Sequence, residues 1–144
     1  MAKAFPSNPT GARRTAKTST ASNHLMAVGE TIAVTAAQAG AVNTLLGSVR
    51  IPAGAEITGV KLDSDDLDSN GTPLITLSIG DAGNDSRLLA ANTLAQAGGV
   101  VNTPAKGALG YLYTTETLVQ VKVKAAAATG QAGTIKYLIE YVTN

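Results

Sequence analysis

The chain has 144 residues, 44% hydrophobic but only 3% aromatic, with 11 Lys and Arg against 10 Asp and Glu and no cysteine. That length supports one domain of ordinary size, and the lack of cysteine excludes a disulfide framework and thiolate metal sites. No run approaches the roughly 18 apolar residues of a membrane-spanning helix, and no apolar secretory segment opens the chain, so a soluble protein starting near Met1 is expected.

Charge divides the chain in two. Residues 1–23 hold Lys3, Arg13, Arg14 and Lys17 and no acid, whereas residues 24–144 hold seven bases against ten acids, a net of −3. The leader is rich in Ser, Thr, Asn and Pro and too poor in apolar residues to offset the entropy of ordering it. It is expected to be an extended basic arm that becomes ordered only on a partner. Phe5, next to Pro6, is its single aromatic and its natural pocket-filling anchor. Four charges with no aromatic platform between them make a weak nucleic-acid footprint. Docking of Lys3, Phe5, Arg13, Arg14 and Lys17 on a protein surface is the reading preferred over nucleic acid, with an untethered tail as the bland alternative.

From His24 onward the pattern is that of β-structure. Leu25, Ala27, Val28, Ile32 and Val34, interrupted at Gly29 and Glu30, read as one bulged strand or two short ones. After the small residues 36–41, the segment Val42–Ile51 reads as a buried strand, turned by Pro52, Ala53 and Gly54 into a return strand over Glu56–Asp63. Asn70–Gly71 is a strong hairpin signal and predicts that residues 72–80 fold back on the strand before them, with Ile75, Leu77 and Ile79 inward. Asp85 or Ser86 is placed to cap a short helix through Leu88, Leu89, Leu94 and Ala97 that Gly98 and Gly99 stop. Alternation then resumes over Gly110–Thr115, over Thr117–Ala125 with Val119, Val121 and Val123 inward, and over Thr134–Val142 with Ile135, Tyr137, Ile139 and Tyr141 in one row. Seven or eight strands and one inserted helix predict an all-β fold, a jelly-roll-like β-sandwich for residues 24–144 behind the arm of residues 1–23.

Little in the body promises chemistry. Asp66, Asp68, Asn70 and Gly71 spell DxDxNG, the opening of an oxygen-ligand calcium loop, with Asp63 and Asp65 nearby. The twelfth position counted from Asp66 is Leu77 rather than a bidentate Glu, which excludes an EF-hand. The remaining readings are a solvated acidic turn or a non-EF calcium site on Asp63, Asp65, Asp66, Asp68 and Asn70. Asp81, Gly83, Asn84 and Asp85 form a second polar loop, explained by helix capping. His24 is the only histidine, and GxSxG, GxxxxGK[ST] and GxGxxG are all absent, so no catalytic residues and no cofactor are predicted and an enzyme is not expected.

The stretch IPAGAEITGVKLDSDDLDSNGTPLITLSIGDAGNDSRLLAANTLAQAGG resembles a segment of small virion proteins of tailed bacteriophages. An IPAGA turn, a GVxLDSDDLD strand and acidic loop, a TPxxTLxIGDAG strand and loop, a late Gly110–Tyr111 strand and the aromatic strand Ile135–Val142 carry it over residues 49–142. The resemblance implies a head decoration, or cement, protein: a β-sandwich or jelly roll on the capsid surface, often trimeric, partnered by the major capsid protein and copies of itself, with no membrane. The arm lies outside the matched pattern. Two alternatives stand beside it, a head-to-tail connector or tail adhesion piece, and a calcium-dependent carbohydrate-binding jelly roll.

Overall fold

A strand buried on one side writes itself as alternation, and three such segments build the centre of this protein. The computed structural model describes residues 24–143, so the arm residues Lys3, Phe5, Arg13, Arg14 and Lys17 lie outside the described residues. The strands are β1 (Leu25–Val34), β2 (Leu45–Ile51), β3 (Ala55–Ser64), β4 (Thr76–Gly80), β5 (Leu89–Asn92), β6 (Gly99–Val101), β7 (Leu112–Tyr113), β8 (Thr117–Ala125) and β9 (Gly133–Thr143). One sheet has the order β1-β9-β3-β6, with β7 also on β3, and the other the order β2-β8-β4-β5. β1 thus lies with β9, β2 with β8, β3 with β6 and β4 with β5, all antiparallel. This is one long antiparallel ribbon rolled into two facing sheets, the jelly-roll arrangement that the alternation predicted.

The inward rows meet between the sheets. Ile135, Tyr137, Ile139 and Tyr141 of β9 face Val119, Val121 and Val123 of β8, all buried, with Leu77 and Ile79 of β4 and Ile57, Val60 and Leu62 of β3 completing the layer. Aliphatic residues fill nearly all of it, and Tyr137 is the largest fully buried side chain. β1 is continuous: ten pairs with β9 run from Leu25↔Val142 to Val34↔Gly133 without a register shift. No bulge is needed at Glu30 because its carboxylate turns inward and accepts the Tyr137 hydroxyl at 2.6 Å. Burial and this bond raise the Tyr137 pKa above the usual phenol range.

Four expectations are corrected. The helix over Ser86–Ala97 is absent: Leu89–Asn92 forms β5 along the edge of β4, and Leu94–Gln96 is a single 3-10 turn. The free edge of β4 offers main-chain partners that an isolated helix of poor formers such as Asn92 and Thr93 cannot match, and the Asn92 amide adds a bond to the Leu77 carbonyl at 2.9 Å. The one short helix, α1 (Ala36–Ala39), instead sits in the small-residue stretch, where Thr35 and Gln38 form a reciprocal capping box and Ala39 is buried. Asn70–Gly71 closes no hairpin, since β3 and β4 belong to different sheets. Likewise Pro52–Gly54 is a corner between sheets, with Gly54 at φ 82°, and β3 leaves it to pair with β9 rather than return along β2.

Candidate functional site

Two acidic loops decide the shape of the molecule's ends. Asp68, in the link from β3 to β4, is 1% exposed. Its Oδ1 accepts the main-chain N–H of Asn70 at 3.3 Å and Thr129 at 2.9 Å, and its Oδ2 accepts those of Leu74 at 2.7 Å, Ile75 at 3.3 Å and Ala128 at 2.8 Å. Burial would raise its pKa, but the bonds from Leu74, Thr129, Ala128 and Asn70 outweigh burial and hold the carboxyl well below the usual carboxylate range. One side chain therefore clasps the crossover 66–75 to the β8–β9 loop.

The other carboxylates singled out for calcium are spent or scattered. Asp65 Oδ2 accepts the Thr134 N–H at 2.8 Å, and Asp66 Oδ1 accepts that of Asp68 at 2.9 Å. Asp63 stands exposed on β3 opposite Lys136, and the Asn70 side chain bonds Thr72 and Thr129. Among the described residues no group of three or more His, Cys, Asp or Glu is gathered as a metal cage. The acidic run in the sequence is thus distributed over strand, turn and clasp. The lone His24 is exposed at the start of β1.

The second clamp was not legible as such. Asp81 caps no helix; its Oδ1 accepts the N–H of Gly83 and Asn84, and its Oδ2 accepts Arg87 Nε and the Tyr113 hydroxyl. The Arg87 guanidinium lies 4.6 Å from the centroid of the Tyr111 ring, which meets Tyr113 edge-on. Burial raises the Asp81 pKa, yet Arg87, the Asn84 N–H and the Tyr113 hydroxyl together lower it further than burial lifts it. Beyond it, Asp85 bonds Lys124 at 2.6 Å and the loop lies flat on the outer side of β4. A Cβ on Gly80 would stand 2.2 Å from the Asn84 carbonyl oxygen. The short spacing of Asp81 and Arg87 was a usable signal, whereas Tyr113, 32 positions on, offered none.

With its loops tied down, the body presents surfaces suited to binding, and no reactive groups converge among the described residues. On the outer side of the first sheet, register places Leu25 beside Val142, Val142 beside Glu56, and Glu56 beside Leu112. Leu25 is 64% exposed and Leu112 48% exposed. This partly apolar row crosses the sheet at the end where β1 starts. Farther along the same face Val100, 67% exposed, and Leu138 flank a shallow groove edged by Lys61 and Lys136. Large apolar side chains shown to water in such rows mark contact surfaces of assemblies.

No protein-family model matches the chain, and no curated protein matches it. Among solved structures, a chain in the capsid asymmetric unit of cyanophage Pam1 matches with a TM-score of 0.72 and 32% identity, covering 96% of this chain and 99% of that one. A chain in the capsid of Ralstonia phage GP4 matches with a TM-score of 0.69 and 34% identity, covering 84% and 85%.

Proposed function

The chain belongs to the family of phage capsid components found in cyanophage Pam1 and Ralstonia phage GP4, and on that premise we propose that it is a decoration subunit that cements the outside of the head. It is a structural protein of the virion capsid and not an enzyme. The observation that supports the proposal is that the match spans 96% of this chain and 99% of a chain in a capsid asymmetric unit.

The physics of the chain agrees. Main-chain clasps tie the crossover 66–75 to the β8–β9 loop, and no buried side-chain N or O lacks a partner among the described residues. Binding energy therefore goes into contacts rather than into ordering the body. Leu25, at the start of β1, belongs to the exposed apolar row, and the basic arm of residues 1–23 precedes it in the sequence. Docked on the major capsid protein, it adds charge and reach, because a segment that orders on binding covers much surface per residue. Three such arms in a trimer multiply a modest affinity through effective concentration. Binding only the assembled lattice stabilises it by mass action against internal DNA pressure.

Deleting residues 2–20 tests the proposal. Heads incubated with the truncated protein are expected to lose most of its occupancy and the heat resistance that the full chain confers. Undiminished occupancy would refute the role of the arm, and a copy number of a dozen or fewer per particle would refute lattice decoration in favour of a connector or tail position.

A further inference from the structure

The Asn70–Gly71 pair has no role in a hairpin, and what its geometry does serve is chemistry on its own backbone. We propose that Asn70 is a deamidation site whose conversion opens the Asp68 clasp, a slow covalent change confined to one end of the jelly roll.

Both residues are exposed. The Asn70 Oδ1 accepts the Thr72 N–H at 2.9 Å, an Asx turn that folds the carboxamide back over the peptide that follows it. Asn70 Nδ2 donates to Thr129 Oγ1 at 3.1 Å, which holds the group in that orientation. Nothing in the fold demands glycine at 71: its φ is not positive, and a Cβ there would meet no atom within 4 Å. Glycine, with no side chain, is the residue that least shields its own nitrogen from attack on the side chain before it.

The step balances without any co-reactant but water. The Gly71 nitrogen gives up its proton to solvent base and forms a bond to Asn70 Cγ; the bond from Cγ to the side-chain nitrogen breaks, and that nitrogen leaves as ammonia with a proton from solvent. Water then opens the five-membered imide at either carbonyl, leaving aspartate or, through the other bond, isoaspartate. Isoaspartate puts an extra methylene in the main chain between the N–H of Asn70 and that of Leu74, both of which converge on Asp68. Either product sets a new negative charge beside a carboxylate that is already buried and ionised.

Purified protein held at 37 °C and pH 8.5 tests this by peptide mass spectrometry and amide hydrogen exchange. The expected result is a one-dalton gain at residue 70, faster at pH 8.5 than at pH 6.5, and several-fold faster exchange at Leu74, Ala128 and Thr129 in the converted fraction. Gly71→Ala should slow the gain at least several-fold while leaving those three amides protected. The proposal is overturned if residue 70 keeps its amide in the folded protein over a period in which the same chain in urea loses it, or if the converted protein exchanges those amides no faster than fresh protein.

Discussion

Asp68→Asn changes one atom's identity at the centre of the clasp and keeps its volume. The carboxylate accepts from two N–H groups on Oδ1 and three on Oδ2. An asparagine amide, turned either way, sets an NH2 donor against the two or against the three. At least two partly buried N–H groups then face a donor instead of an acceptor on a side chain that is itself buried, at about 1–3 kcal/mol each. A total near 4 kcal/mol is a large fraction of the roughly 5–15 kcal/mol that holds a domain together, and for a domain of this size it lowers Tm by roughly 15 °C. Urea unfolding of the isolated protein at pH 7, followed by far-UV circular dichroism, measures it. The pH dependence supplies a second reading: because the folded-state pKa of Asp68 lies below that of the unfolded chain, its stabilisation is complete above about pH 5 and drains away as pH falls through 4 and below. Parent and variant should therefore converge in acid. A loss under about 1 kcal/mol at pH 7, or a gap that stays constant down to pH 2, would refute the assignment of Asp68 as the clasp.

Further outcomes follow from the same geometry. Tyr113→Phe removes the hydroxyl that bonds Asp81 at 3.0 Å and is expected to cost about 1–2 kcal/mol in urea, with the Gly83 and Asn84 amides exchanging faster. Gly80→Ala drives a Cβ into the Asn84 carbonyl and the Asp85 backbone; it is expected to lift the 81–87 loop off β4, break the Asp85–Lys124 pair and lower Tm more than Gly71→Ala, in whose place there is open space. Millimolar calcium is expected to leave Tm unchanged, since Asp65, Asp66 and Asp68 already bond main-chain N–H groups; a rise of several degrees would mean that the loop gathers an ion. Above pH 10 the fold should fail as Tyr113 and Tyr137 ionise: burial, and then hydrogen bonds to Asp81 and Glu30, raise both folded-state pKa values. The stability each confers is full below the unfolded value and lost as pH climbs past it, so the phenolate absorbance change of these two should coincide with unfolding.

The surface proposed to meet other proteins was only partly readable. The charge asymmetry between residues 1–23 and the body is a matter of counting, and the proposed arm rests on that asymmetry. The apolar row of Leu25, Val142 and Leu112 was not readable, because its members come from strands far apart in the chain and become neighbours through β9 and β3. The DxDxNG run was conspicuous, yet a list of acids does not say whether an oxygen will face an ion or an N–H group, and here the answer for Asp68 depends on a loop about sixty residues later.

Period-two alternation over Thr117–Ala125 and Thr134–Val142 settles from the chain alone that these residues are strands and which side is buried, because adjacent side chains of an extended backbone point to opposite faces. The Thr35-to-Gln38 spacing of a capping box is equally local, and it was there to be read. Strand partnership is another matter. Whether Pro52–Gly54 turns a strand back on itself or carries it to the opposite sheet, and whether Leu89–Asn92 coils or pairs with β4, depends on which main-chain groups are still unpaired once β8 and β9 are in place. That is a property of the assembled sheets, and no window of neighbouring residues contains it.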